Sequence, residues 1–287
     1  MNIIDDLKLQ YRTGGITLKM IFWNIGIFLI SLIFYQFKFQ IFAFPDWISL
    51  SSNYSLALRY PWTLLSYAFF HSGFWHLVFN MLVLNFAGRL FLTYFTAKQF
   101  LGLYLLSAIF AGIMFVLAAF FIPLGTGIVG ASAAIMAILV ATTTYQPLMN
   151  VRLFLFGNVK LWYITAVIIL LDLMQILVEN TGGHIAHLSG AFFGFVYIRL
   201  LQNGTDLSKG ITSVLNFFSN IFRPGKKTVP FKKIHKNYNP QPTKTVSKIV
   251  TKDRNQQQID EILDKISRSG YDSLTKQEKE FLFKVGK

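Results

Sequence analysis

Residues 182–202 read GGHIAHLSGAFFGFVYIRLLQ: two glycines, then His184 and His187, then an apolar run holding Gly190 and Gly194. A helix that crosses the hydrocarbon core of a bilayer takes about 20 mostly apolar residues, and this stretch has that length. Ionisable side chains in such a helix are costly to desolvate, so two histidines at its head are candidates for function. The rest of the chain has the same character. Of 287 residues, 53% are hydrophobic and 14% charged, against roughly a quarter charged in soluble globular domains. The fold class that follows is all-α, a polytopic membrane protein.

Dividing the apolar part at its charged and Pro- or Gly-bearing breaks gives six spans, near residues 18–42, 66–88, 99–122, 130–146, 160–178 and 184–202, the fourth being short. Lys8, Arg12 and Lys19 precede the first span, Arg89 and Lys98 join the second to the third, and Arg152 and Lys160 join the fourth to the fifth. The connections after spans three and five have no Lys or Arg, and the one after span one has only Arg59. Basic loops are retained on the cytoplasmic side, so both termini are expected there. The apolar run at 20–43 exceeds a signal-peptide core and is read as a retained helix. The loop from Phe44 to Leu65 carries Trp47, Tyr54, Tyr60 and Trp62, aromatics suited to the outer membrane interface.

Charge divides the chain near residue 204. Residues 1–204 form the membrane domain with a net +5, and the remainder carries +9 of the total +14. Cytoplasmic retention and anionic lipid account for such a basic tail, so the expected partner is the bilayer and not nucleic acid. Within 205–253, Ile211, Val214, Leu215, Phe218 and Phe222 recur at helical spacing ahead of Arg223, Lys226 and Lys227, a pattern for a helix lying on the inner surface. A basic linker with Pro224, Pro230, Pro240 and Pro242 follows. Residues 254–287 are read as a small helical hairpin: Ile259, Ile262, Leu263 and Ile266 form one stripe, Ser269 and Gly270 break it, and a second helix carries Phe281 and Leu282. So small a unit is expected to dock on a cytoplasmic partner or to fold marginally.

The absence of cysteine excludes disulfides, thiolate metal sites and a Cys nucleophile. Within the spans the strongly polar residues are few: His71, His76 and Asn80 in span two, Ser132 in span four, Asp172 in span five, and His184 and His187 in span six. The derived orientation puts the groups of spans two, four and six toward the outer side, where they can share one cavity. Ser132 follows Gly127-Ile-Val-Gly130-Ala131. At a helix start the first N–H groups lack intrahelical partners and face positive dipole, a setting for an oxyanion. A serine there can attack a carbonyl, or it can be an N-cap among small residues that pack helices. His187, in the first turns of its own helix, is the base such a serine needs. His184 is placed nearer solvent, as a hydrated loop histidine.

Three segments together resemble the rhomboid family of intramembrane serine proteases: Gly130-Ala131-Ser132, Ala186-His187-Leu188-Ser189-Gly190, and His71-Ser-Gly-Phe-Trp-His76-Leu-Val-Phe-Asn80. The resemblance runs over about residues 15–204. It implies a six-helix bundle in which Ser132 is the nucleophile and His187 its base. His76 and Asn80 become oxyanion donors together with the backbone at Ala131 and Ser132, and Trp62, His71 and His184 become substrate or loop contacts. It implies no cofactor and no metal, clients that are single-span membrane proteins, and an active site open to the outer side of a bacterial inner membrane. The C-terminal hairpin is similar to a small domain appended to some bacterial relatives. Ala133 stands where the family often has glycine, Thr63 where it often has arginine, and an apolar residue near Leu92 where it often has an acid. These departures bear on how the outer loop is held and which substrates it admits, and leave the dyad intact.

Other chemistries fit less well. Four histidines can bind a metal, but no H-E-x-x-H pattern is present. Asp172 alone cannot make a two-aspartate protease, and no repeated halves or charged path suggest a transporter. The alternative of another class is an inactive rhomboid-like protein that binds or escorts membrane clients. Retention of both Ser132 and His187 argues against it.

Overall fold

The computed structural model describes residues 2–36, 44–153, 156–221 and 254–285. It divides into two compact units, Met1–Lys226 and Lys227–Lys287. The first unit opens with α1 (Ile3–Thr13), a helix the sequence reading did not anticipate; it leaves Ile3, Ile4 and Leu7 exposed. α2 (Ile16–Ser31) runs on through a π turn to Gln36. Its buried residues, Thr17, Met20, Asn24, Phe28 and Ser31, recur every three or four positions and so form one stripe. The stretch 37–43, the end of the expected first span, lies outside the described residues.

The loop leading to the next long helix contains β1 (Leu50–Ser51) and short helical segments at Tyr54–Arg59, Thr63–Ser66 and Tyr67–Phe69. Span two was expected from residue 66, but α3 runs Phe74–Leu92, because Gly73 in extended conformation separates it from the short turns. α4 (Ala97–Ala118) starts at a reciprocal capping box between Thr96 and Gln99, two orphan amides satisfied at once. β2 (Gly127–Ile128) pairs antiparallel with β1, Leu50 opposite Ile128, and so ties the loop before α3 to the segment entering α5 (Ser132–Tyr145). A hairpin of β3 (Asn150–Leu153) and β4 (Gly157–Lys160), also not anticipated, leads to α6 (Leu161–Gln175), then α7 (Thr181–Gln202) and α8 (Ser208–Ile221). α2, α3, α4 and α7 are long and apolar enough to cross a membrane, while α5 and α6 are shorter apolar helices.

α5 is the axis of the bundle. Every residue from Ala133 to Thr142 is buried, as expected of a helix that is apolar all round. Small residues let α7 approach its backbone: a Cβ added at Gly190 would strike the Ala133 carbonyl, and one at Gly194 the Ala137 carbonyl. α4 is pinned to the loop by two reciprocal bonds, Tyr67 Oη to the Ala108 carbonyl (3.0 Å) and Tyr104 Oη to the Ala68 carbonyl (2.9 Å).

In the second unit, α9 (Arg254–Ser269), a turn at Tyr271–Ser273 and α10 (Lys276–Val285) follow in order. The expected Pro-containing linker at 223–253 lies outside the described residues, as do Phe222 and the side chain of Phe218. Glu278 accepts from Lys265 Nζ (2.9 Å) and closes a capping box with Thr275. The Lys265 hydrogen bond first, and then those from Thr275, hold its carboxyl at about 2, below the ordinary 4.5.

Two predictions follow from these contacts. Gly194→Ala should destabilise the membrane unit by about 1–3 kcal/mol through overpacking, seen as a lower midpoint of thermal unfolding in detergent. Gly210→Ala, which meets no atom within 4 Å, should be neutral or stabilising. Glu278 has a depressed folded pKa, so its contribution to the second unit is complete above 4.5 and is lost as pH falls toward 2. Amide protection factors across α10 should decline over that window in the wild type and vary less in Glu278→Gln.

Candidate active site

The start of α5 is built by a glycine. Gly130 has φ +135°, a backbone conformation that L side chains rarely adopt, and its N–H donates to the Tyr67 carbonyl (2.9 Å). Ala131 caps the helix, and the first intrahelical bond runs from Ile135 N–H to the Ala131 carbonyl, so the amides of Ser132, Ala133 and Ala134 precede the ladder. A Cβ on Gly130 would lie 2.9 Å from His76 Nε2 and 3.6 Å from Ser132 Oγ. The glycine therefore keeps open the small space between a hydroxyl and an imidazole edge.

α7 brings the second group. His187 Nε2 stands 2.6 Å from Ser132 Oγ, and His187 Nδ1 stands 2.9 Å from Asp172 Oδ1 on α6. An ionised carboxylate only accepts, so against such a partner the imidazole proton belongs on Nδ1, and Nε2 is then the acceptor for the Ser132 hydroxyl proton. α3 supplies the third group. The Ser72 N–H donates to His76 Nδ1 (3.3 Å), with the Ser72 hydroxyl 2.9 Å from the same nitrogen. That leaves the His76 proton on Nε2, the edge facing Gly130. Asn80, one turn further on, donates from Nδ2 to the His76 carbonyl (2.7 Å).

Two cavities meet here. One, of about 360 Å³, is bordered by Ser72, His76, Asn80, Gly130, Ser132 and His187. The other, of about 330 Å³, is mostly apolar, lies between α3 and α6, and also reaches Asn80, Ser132 and His187.

The structure brings together Ser132, His187, His76, Asn80 and the backbone at Ala131. The loop contacts expected from sequence are placed differently. Trp62 is exposed in the loop before α3, where its Nε1 donates to the Trp47 carbonyl (2.9 Å). His71 is fully buried, edge-on to His76, so it backs that ring and does not face the cavity. His184, expected in a hydrated loop, is buried with its Nδ1 2.6 Å from Asp172 Oδ1, because α7 begins at Thr181 and carries it into the bundle. Asp172, His184 and His187 are, among the described residues, the one group of side chains spaced to hold a metal ion. Both imidazoles turn Nδ1 to the one oxygen, Asp172 Oδ1. Ser72 was not singled out from sequence; its position just before a helix, four residues from His76, was the available signal.

The amino-acid sequence of residues 58–203 matches the family model of the Rhomboid domain, and residues 250–285 match a family of unknown function, DUF6576. No curated protein matches the chain. The first match takes in His71, His76, Asn80, Ser132, Asp172 and His187 and spans just over half of the 287 residues. Four helices of membrane-spanning length and composition accompany it. The chain is an integral membrane protein, and it belongs to the rhomboid family.

Proposed function

We propose that this protein is an intramembrane serine endopeptidase that cleaves single-span membrane proteins with a Ser132–His187 dyad. The observation that carries the reading is the 2.6 Å contact between Ser132 Oγ and His187 Nε2 at the edge of a polar cavity. In this reading α2 to α7 make six membrane passages, with both termini cytoplasmic and the site facing the outer side. At 1.5 Å per residue the 14 residues of α5 span about 21 Å of a hydrocarbon core about 30 Å thick. With the inner end of α5 at the inner boundary, Ser132 sits about 10 Å below the outer one. Water reaches it through the polar cavity.

A helical peptide bond is hydrogen-bonded and sterically enclosed, so the client must unwind locally before attack. α3 and α6, with the outer loop, are the gate, and the apolar cavity between them takes the client. Ser132 attacks the carbonyl as His187 takes its proton. The oxyanion settles by Gly130, toward His76 Nε2–H, the free proton of Asn80 Nδ2 and the backbone amides at Ala131 and Ser132. His187 returns the proton to the leaving amine, and water then releases the acyl-enzyme. Residues 205–253 serve as inner-surface helix and linker, and residues 254–287 as a docking unit for a cytoplasmic partner.

Purified protein in detergent should cut a generic single-span reporter, and Ser132→Ala and His187→Ala should each fall to background. If the wild type neither cuts the reporter nor labels at Ser132 with a fluorophosphonate, the chain is instead a client-binding member of its family. Gly130→Ala should lower kcat by about 10²- to 10³-fold, the range for loss of one oxyanion donor, because the added methyl fills the space in front of His76. Reporter kinetics beside a thermal-unfolding control check this.

A further inference from the structure

The dyad leaves Asp172 unassigned. Its side chain is 8% exposed and belongs to α6, a helix whose outward face is apolar. A carboxylate in that setting is costly unless it is hydrogen-bonded. Here one oxygen, Oδ1, accepts from both His184 Nδ1 (2.6 Å) and His187 Nδ1 (2.9 Å), while Oδ2 is buried with no partner. A tie between α6 and α7 needs only the His184 bond. The second bond falls on the one imidazole that also touches Ser132.

α6 is lightly held. Of its fifteen residues only Leu161, Thr165 and Asp172 are buried. The inner end is fixed by the Leu161 amide on the Met149 carbonyl (2.9 Å) and by Thr165 Oγ1 against Thr143 Oγ1 (2.6 Å). In the outer half Asp172 is the single buried side chain, and it borders the apolar cavity beside α3. Resting on the serine-protease reading above, we infer that Asp172 is a positioning residue that holds His187 in the Nδ1–H tautomer, and that its place on α6 makes the base competent only while that helix is seated against α7.

The carboxylate does this by geometry. With Asp172 accepting at Nδ1, the His187 ring is fixed in rotation and its Nε2 lone pair is directed at Ser132. When Asp172 withdraws with α6, the ring is free to turn and to shift its proton to Nε2, where it cannot act as a base. A client that displaces α6 on entry is therefore met by an unready dyad, which becomes ready when α6 closes behind it.

The test uses the full-length protein in detergent. Asp172→Asn should lower kcat by about 10²- to 10⁴-fold, as loss of the orienting carboxylate does in serine proteases, with KM changed less than about threefold. Fluorophosphonate labelling of Ser132 should slow in parallel, and Asp172→Glu should recover part of the rate. Nitrogen-15 NMR of His187 should report Nδ1–H in the wild type and a shift toward Nε2–H in Asp172→Asn. A kcat within threefold of wild type in folded Asp172→Asn, or a wild-type His187 that is Nε2–H, overturns the inference. The NMR result stands even if Asp172→Asn fails to fold. The protease reading fails on a different result, an unlabelled and inactive wild type, so the two failures are distinguishable.

Discussion

The close approach of α7 to α5 is the constraint on which the site rests. Ser132 stands one residue before Ala133, and His187 stands three before Gly190, whose Cα lies against the Ala133 carbonyl. The register of backbone packing therefore also sets the separation of hydroxyl and imidazole. In lipid the hydrophobic effect gives helices little reason to associate, and close van der Waals contact between small residues takes its place. Larger side chains at 190 or 194 would part the helices and with them the 2.6 Å contact. Packing and chemistry are one feature here.

Around that rigid pair the other polar groups are held by local bonds. The Gly130 amide hangs on the Tyr67 carbonyl, and the Tyr67 hydroxyl on α4. Ser72 sets the tautomer of His76 from within the same helix start. The loop is tied to α4, and α7 to α5 and α6, by buried or half-buried hydrogen bonds, and such bonds are strong where water is excluded. The β1–β2 pairing extends the chain of ties outward, from Leu50 in the loop to Ile128, four residues before Ser132.

Much of this was legible in the sequence, for a physical reason. Apolar length and the positions of Lys and Arg act over whole segments, so the helices emerged near their observed places, and polar residues inside apolar runs stood out against their background. The partners of those residues were not legible. Nothing in a linear reading places Asp172 against His184 and His187, because the pairing depends on the relative rotation of α6 and α7. In the sequence the span begins at His184 itself, which places that residue near solvent, whereas the helix begins at Thr181 and carries it into the bundle. The β3–β4 hairpin is not apparent in the sequence because its strands, Asn150–Leu153 and Gly157–Lys160, are four residues each, too short for the alternation in Asn150-Val151-Arg152-Leu153 to stand out.

α5 and α6 are held very differently. α5 is buried on every side, so any shift of Ser132 would disturb α3, α4 and α7 together. α6 buries one narrow stripe and turns Val167, Leu170, Leu171 and Met174 outward. Among the helices that border the cavity, motion is drawn from the least packed one, since fewest contacts are lost there. A buried acid on that element is the more telling because hydrophobic residues could fill the same place at lower desolvation cost. Its retention makes sense where seating and unseating of the helix must be reported to the adjacent imidazole. An apolar residue at 172 could seal the groove, but it would carry no such information to His187.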